Sequence, residues 1–369
     1  MIDSIHQRRR WAVLLLVLAA GGCRPPPAPV VESLVDRKPA AVEVVPDLMK
    51  RRDEIAGLAL AHMTETISDL DPDRAGSDLN KLNRVAHSVR LQVSRNTFRL
   101  IDLAHHYSER TGGAFDLTAA PLENLWGLPD GPAPVEEPPP ELIEGVRQGV
   151  GRQHVEIFDQ GAIAYTSAGT QIGLDLIGQA YAVDLAILEL RRREFSQIRV
   201  QLGNAQRALG PYRSGQPWTA ALAHPFLAGT NLGSVVLAPP HPALVVVRLH
   251  EHTIRIGTNT YGHILDPRTG RPAQGTALAA VLGPSATMAH ALAQALVVVG
   301  VEHAPGLLAQ FPKCEALLVP DNAASELWRT AGFAARLNLD PALNWTVVEL
   351  ANTASGAASA APAPAAPVP

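Results

Sequence analysis

The 369-residue chain has only two cysteines, Cys23 and Cys314. A small secreted fold stapled by a disulfide framework is therefore excluded. Aromatic residues make up only 5% of the chain, and the net charge is −4. Lys and Arg are scattered through the body without a basic stripe, so nucleic acid is not an expected partner. No internal repeat is present. The apolar run from Trp11 to Ala20 falls short of the roughly 20 residues that a spanning helix needs.

What the first segment does hold is an ordered set of signals. Arg8-Arg9-Arg10 precedes the Trp11–Ala20 run, and Gly21-Gly22-Cys23 follows it. A basic start, a short apolar stretch and small residues read as a signal peptide over residues 1–22. A Cys placed directly after small residues resembles a lipobox. Cys23 is then the lipidated mature N-terminus, and the chain faces the periplasm from a membrane of the bacterial cell envelope. The plainer alternative is a signal peptide cleaved beside an ordinary Cys. An acylated Cys23 leaves Cys314 with no intrachain partner, and Cys314 reads as a small core hydrophobe. Residues 23–45 begin Pro-rich and read as a flexible tether. Residues 352–369 are almost wholly Ala, Pro, Ser and Gly, too poor in apolar surface to offset ordering entropy. They are expected to be disordered. One domain remains, over 46–345.

That body mixes helices and strands. Apolar residues near helical spacing run from Asp47 to Leu70. Ser94 caps a helix expected to reach Arg110, ended by Gly112-Gly113. Helices are also expected over Gly178–Arg193 and from Ser285 to Val299, the latter ended by Gly300. His154–Tyr165 reads as a hairpin. Gln197–Leu202, Ala243–Leu249, Thr276–Leu282 and Ala316–Val319 read as strands. Without a regular βαβ rhythm, the class is α+β, with mixed or antiparallel sheets and packed helices.

The most informative segment is Tyr261–Pro272, YGHILDPRTGRP. Asp266 can accept hydrogen bonds from a turn's own backbone, Pro267 fixes φ, and Gly270 permits φ > 0. Read alone, this is a strand end entering a turn beside a single His. The combination resembles the H-I-x-D-P-x-T-G signature of the FAD:protein FMN transferase family. Further motifs follow that family's order. Ser77–Asn83 (SDLNKLN), Thr111–Asp116 (TGGAFD), Pro121-Leu122 and Leu125-Trp126-Gly127 are similar to its segments. So are Tyr181–Asp184 (YAVD), Leu202-Gly203, Trp328 and Gly332-Phe333.

The resemblance implies a protein that moves FMN from FAD onto a Thr of a target flavoprotein, with FAD as substrate and Mg²⁺ as metal. It implies flavin contacts at Ala114, Phe115, Asp116, Gln179, Tyr181, Asp266 and Thr269. By residue type alone Phe115 is core, and Asp116 either caps the next turn or bonds the flavin. His263 is the candidate for activating the acceptor Thr, a role suited to a neutral His near its ordinary pKa.

The chain also departs from the pattern. Where the family holds Mg²⁺ with an Asp and a Thr at i, i+4 on one helix, this chain has His290 and Gln294. Imidazole is a poor Mg²⁺ ligand and adds no negative charge. The pair is expected to bind Mg²⁺ far more weakly, or simply to face a polar cleft. Gly173 falls where the family's D-L-G-G segment has its Asp, with Asp175 two residues on, and Gln179 stands for its Lys or acidic residue. Three readings follow: an active transferase, a catalytically degenerate, membrane-tethered flavin-binding or assembly protein of the same fold, or a periplasmic protein that hydrolyses FAD without an acceptor.

Overall fold

The computed structural model describes residues 30–128, 131, 134–322 and 325–350. The expected signal peptide, Cys23 and the Ala/Pro tail lie outside them. The spine is a nine-stranded sheet whose spatial order follows the chain. Its strands are β1 (Val30–Val35), β2 (Lys38–Val44), β3 (Ile198–Leu202), β4 (Ala205–Leu209), β5 (Ala243–Arg248), β6 (Thr276–Gly283), β7 (Glu315–Pro320), β8 (Glu326–Arg329) and β9 (Thr346–Glu349). Neighbours are antiparallel except β8 and β9, which run parallel.

Successive strand residues point to opposite faces, and β6 uses both. Ala279 and Val281 join the core on one face; Leu278, Ala280 and Leu282 join the core on the other. The helices that matter for the site are α1 (Arg52–Asp69), α2 (Arg95–Arg110), α3 (Ala120–Trp126), α4 (Asp175–Arg192) and α5 (Ala286–Ala309). α4 packs between α1 and α5, and α5 lies across β5, β6 and β7. A three-stranded sheet of Trp218–Ala223, Asn231–Leu237 and Leu337–Leu339 covers the opposite face. A third, smaller core joins Leu122, Trp126, Ile143, Ile254 and Leu265. The fold is α+β, as the pattern of elements implies.

One boundary needs correction. The tether expected over residues 23–45 gives way at Val30 to β1 and β2, so the folded domain includes these residues and is not confined to residue 46 onward. Val31, Val35, Ala40, Val42 and Val44 are buried. Asp36 and Arg37, at φ 47° and 62°, make the two-residue turn that matches strand twist. The proline density upstream masks this alternation in the sequence.

Helix ends fall close to their expected places. Ser94 Oγ accepts from Thr97 N at 3.2 Å, and Gly112 and Gly113 close α2 at φ 60° and 78°. Ser285 caps α5, and Gly300 (φ 76°) breaks its helical geometry, but a further helical stretch continues to Ala309. α4 starts at Asp175, earlier than Gly178. Cys314 is buried and free, its thiol pushed up to about 12 by burial, which suits a core group and not a nucleophile.

Candidate active site

A cavity of about 70 Å³ opens where the Thr111–Gly127 segment, the Tyr261–Pro272 segment, the start of α4 and the side of α5 converge. Its lining includes Phe115, Asp116, Glu123, Gly173, His263 and Gln294. Four of the expected site residues, Phe115, Asp116, His263 and Gln294, are therefore brought together.

Thr111 shapes the first loop. Its Oγ accepts from Phe115 N at 3.2 Å and lies 3.1 Å from the Ser108 carbonyl. Phe115 is a core residue with an edge on the cavity. Asp116 is buried, and this chain's own donors occupy both carboxylate oxygens. Oδ1 accepts from Thr118 N at 2.9 Å and Thr118 Oγ1 at 2.6 Å. Oδ2 accepts from Ser108 Oγ at 2.6 Å and Arg152 N at 3.1 Å. These bonds fasten the loop through the Asp116 carboxylate, which also lies on the cavity lining. Ala114 is fully buried in the core and does not line the cavity.

The second loop docks on the first. Trp126 Nε1 donates to the Gly270 carbonyl at 2.9 Å, and its ring lies 5.4 Å from that of Tyr261. Gly270 sits at φ 69°, and a Cβ there would stand 2.6 Å from Ile143 Cγ2, so both conformation and space require glycine. The Asp266 carbonyl accepts from Thr269 N (3.2 Å) and Gly270 N (2.8 Å), while its carboxylate takes Arg268 N and the Arg268 guanidinium at 2.9 Å. Thr269 Oγ1 accepts from Arg271 N at 3.3 Å. Asp266 and Thr269 build the turn, and neither reaches the cavity.

His263 is buried on the cavity wall. Its Nδ1 lies 3.3 Å from the Leu249 carbonyl. A carbonyl only accepts, so Nδ1 carries the hydrogen and Nε2 keeps the lone pair. Burial, and next the His252 ring standing edge-on at 5.4 Å, push its pKa below the ordinary His value. The expected near-ordinary pKa is thus corrected downwards, and the ring is neutral at neutral pH.

The remaining wall depends on Asn83. Its Nδ2 donates to the Ile172 carbonyl at 2.9 Å, and its Oδ1 accepts from Ile172 N at 2.8 Å and from the Tyr165 hydroxyl at 3.2 Å. That clamp fixes the backbone just before Gly173. Gln179 and Tyr181 are buried on α4, away from the cavity lining. Gln179 packs against the Gly203 turn, and burial raises the Tyr181 pKa. Asp184, the last residue of YAVD, receives Ala286 N, Thr287 N, Thr287 Oγ1 and Arg207 Nη1 at 2.6–3.0 Å, which anchors the start of α5.

The ApbE family model matches residues 40–318. The chain belongs to the ApbE family. It is 26% identical to the FAD:protein FMN transferase of Vibrio cholerae over 302 residues, covering 80% of this chain and 89% of the relative. It is 28% identical to that of Treponema pallidum over 267 residues, covering 68% and 73%. Among solved structures, the ApbE protein of Thermotoga maritima superposes with a TM-score of 0.75 at 25% identity, over 85% of this chain and 100% of that one. The flavin transferase ApbE of Vibrio cholerae gives 0.69 at 23% identity, over 84% and 100%.

At the two helix positions where the resemblance implies Mg²⁺ ligands, the residues of this chain do not fit that ion. His290 is fully buried, and its Nε2 faces Gln294 Oε1 at 3.2 Å. An amide oxygen accepts, so Nε2 carries the hydrogen. Burial pushes the pKa of His290 down to about 4. Its Nδ1 has no hydrogen-bond partner among the described residues. The pair brings no carboxylate, and the one amide oxygen is already engaged. The polar cleft expected for both holds only for Gln294. Among the described residues, no group of three His, Cys, Asp or Glu side chains could hold a metal.

Several residues of the site escape sequence reasoning: Ser108, Thr118 and Arg152 around Asp116, and Glu123 on the cavity. Asn83 lay inside a noted motif, but its role as a clamp on Ile172 appears only in three dimensions.

Proposed function

We propose that this chain is an FAD:protein FMN transferase that moves FMN from FAD onto a Thr hydroxyl of a target flavoprotein. One observation carries the reading: His263, kept neutral by burial, shares a cavity with the TGGAFD loop in a chain of the ApbE family. The Thr oxygen attacks the FMN phosphorus of FAD. Its proton passes to Nε2 of His263, the P–O bond to the AMP portion breaks, and AMP leaves with the bonding pair. The cavity is far smaller than FAD, so it takes the reacting phosphate end while the ring systems lie across its mouth.

The fastened loops serve this step by holding His263 and the phosphate site in register before the substrate arrives. The lipobox reading adds an envelope location: anchored to the membrane through Cys23, facing the periplasm, with the acceptor flavoprotein within reach. A Cys23→Ser variant that remains with the membrane fraction would remove that part.

The principal test is incubation of the full-length protein with FAD and an acceptor peptide bearing a target Thr, read by mass spectrometry. Covalent FMN on the Thr and release of AMP are expected. FAD binding without either product would instead support a non-catalytic binding protein, and AMP release without flavinylated peptide would support a hydrolase. Because the His263 pKa lies below the ordinary 6.5, the transfer rate should be flat above neutrality. It should fall only as acid protonates the ring.

A further inference from the structure

A second histidine stands beside His263. In the hairpin of Thr253–Ile256 with Asn259–Gly262, Thr253 lies opposite Gly262. His252 precedes the one and His263 follows the other, so antiparallel pairing brings the two together at the hairpin's open end. Their rings meet edge to face, with centroids 5.4 Å apart and planes at 87°. Gly262 lets this end close on the Leu249 segment, since a Cβ there would stand 2.4 Å from the Leu249 carbonyl oxygen.

Polar contacts hold the His263 ring only loosely. The Leu249 carbonyl faces both His263 N and its ring Nδ1, each at 3.3 Å, just beyond the usual N–H···O range. The His252 backbone is a further hydrogen-bonding neighbour of the ring. Across the cavity, the Thr111–Gly127 segment brings the carboxylates Asp116 and Glu123, α5 brings the neutral Gln294, and α4 brings Leu176 and Ile177. On the near side stand Glu251, ion-paired with Arg248 at 3.2 Å, and the half-buried His252. Of these neighbours, only His252 both meets the ring edge-on and can gain a positive charge.

We propose that His252 is a positioning residue for the transfer: its ring braces the His263 imidazole, and its charge in acid stands against a proton on that imidazole. The proposal rests on His263 as the base, but the pairing itself is measurable without FAD. A proton on one ring makes a proton on the other harder to add. The lowered pKa of His263, with burial the larger cause and His252 the next, agrees. His252 acts through His263 and touches no reacting atom.

Full-length native protein is compared with His252→Phe, which keeps an aromatic edge without charge, and His252→Gln, which keeps neither. The first measurement follows the His263 imidazole by NMR against pH without FAD, its signal assigned by its loss in His263→Gln. Its midpoint should rise in both variants by on the order of 0.5–1 pH unit, the size expected for one unit charge at this separation in a water-rich setting. The second is single-turnover FMN transfer against pH. Its acid limb should move up equally in both variants. Above neutrality His252→Phe should stay within about threefold of native, and His252→Gln should fall about tenfold with FAD affinity unchanged. Thermal unfolding checks that the variants fold, and His252→Asn replaces the Gln variant if that one does not. A His263 midpoint unmoved in both variants, or a Gln variant as fast as native above neutrality, would overturn the proposal. A shifted midpoint with no FMN transfer by native protein would support the coupled pair and remove the transferase reading instead.

Discussion

The loop wall of the cavity, Thr111–Gly127 with His263–Gly270, is held by side chains bonded to backbone. The opposite wall, α5, is held by apolar packing. On the loop wall Thr111, Asp116, Trp126 and Asp266 each have named partners at hydrogen-bond distance. Replacing any of them leaves buried or turn groups unpaired. On α5 the position is set by Ala289, Leu292, Ala293 and Leu296 in the core, and by Ser285 and Asp184 at its start. Residues 290 and 294 can change without moving the helix. Geometry is thus demanding in the loops and more permissive on the helix.

The comparison is broken most severely at Asp116. Asp116→Ala strands the Ser108 and Thr118 hydroxyls and two backbone N–H groups in a buried setting. The expected loss is on the order of 3–5 kcal/mol by urea denaturation, from unpaired buried groups at about 1–3 kcal/mol each with partial relaxation. Flavin binding, read by fluorescence quenching, should fall with it. Asp116→Asn keeps an acceptor for Thr118 and should recover part of the loss.

On the helix wall the largest expected effect is on pH dependence. Folding holds the pKa of His290 at about 4, against an ordinary 6.5. The unfolded chain takes the proton first. Stability from keeping the ring neutral is therefore present above pH 6.5 and lost as pH falls towards 4. The amount is on the order of 3 kcal/mol, at about 1.4 kcal/mol per pKa unit. His290→Leu should flatten this acid slope in urea midpoints measured between pH 7 and pH 4.5. A slope equal to that of the native protein would show that His290 does not carry it. His105 and His241, whose pKa values burial also lowers, should leave a residual slope.

Trp126→Phe tests the joint between the two loops with a smaller change. It removes the Nε1 bond to Gly270 and leaves a narrow void, an expected loss of about 2 kcal/mol. If the joint also positions His263, kcat should drop by more than the change in flavin affinity.

Much of this architecture is legible in the sequence because local signals and tertiary structure agree. Ser94 with Gly112, Ser285 with Gly300, and the Asp266–Gly270 turn carry their own start, stop and turn chemistry. β6 is readable as apolar, yet its division between two cores is a property of the layers around it. β1 and β2 are obscured by the composition before them, since upstream proline density hides five buried positions. Asp116 illustrates the harder limit. Ser108 lies eight residues away and Arg152 thirty-six, so only the fold decides whether the carboxylate meets a ligand or its own chain. His290 is ambiguous for a related reason, because a His in an apolar helix can be a ligand or a buried neutral group, and burial settles which. Glu123 carries no sequence signal, since an acidic residue on a short helix usually faces solvent.

The central claim is that the loop wall presents His263 as the base for transfer to a Thr hydroxyl. Single-turnover FMN transfer by native protein and His263→Ala, with FAD affinity measured on the same samples, tests it most directly. The expected result is FAD affinity unchanged within a few-fold and transfer slowed by about 10²–10⁴, the range for loss of a positioned general base. Transfer by His263→Ala at the native rate, with FAD bound as tightly, would contradict it.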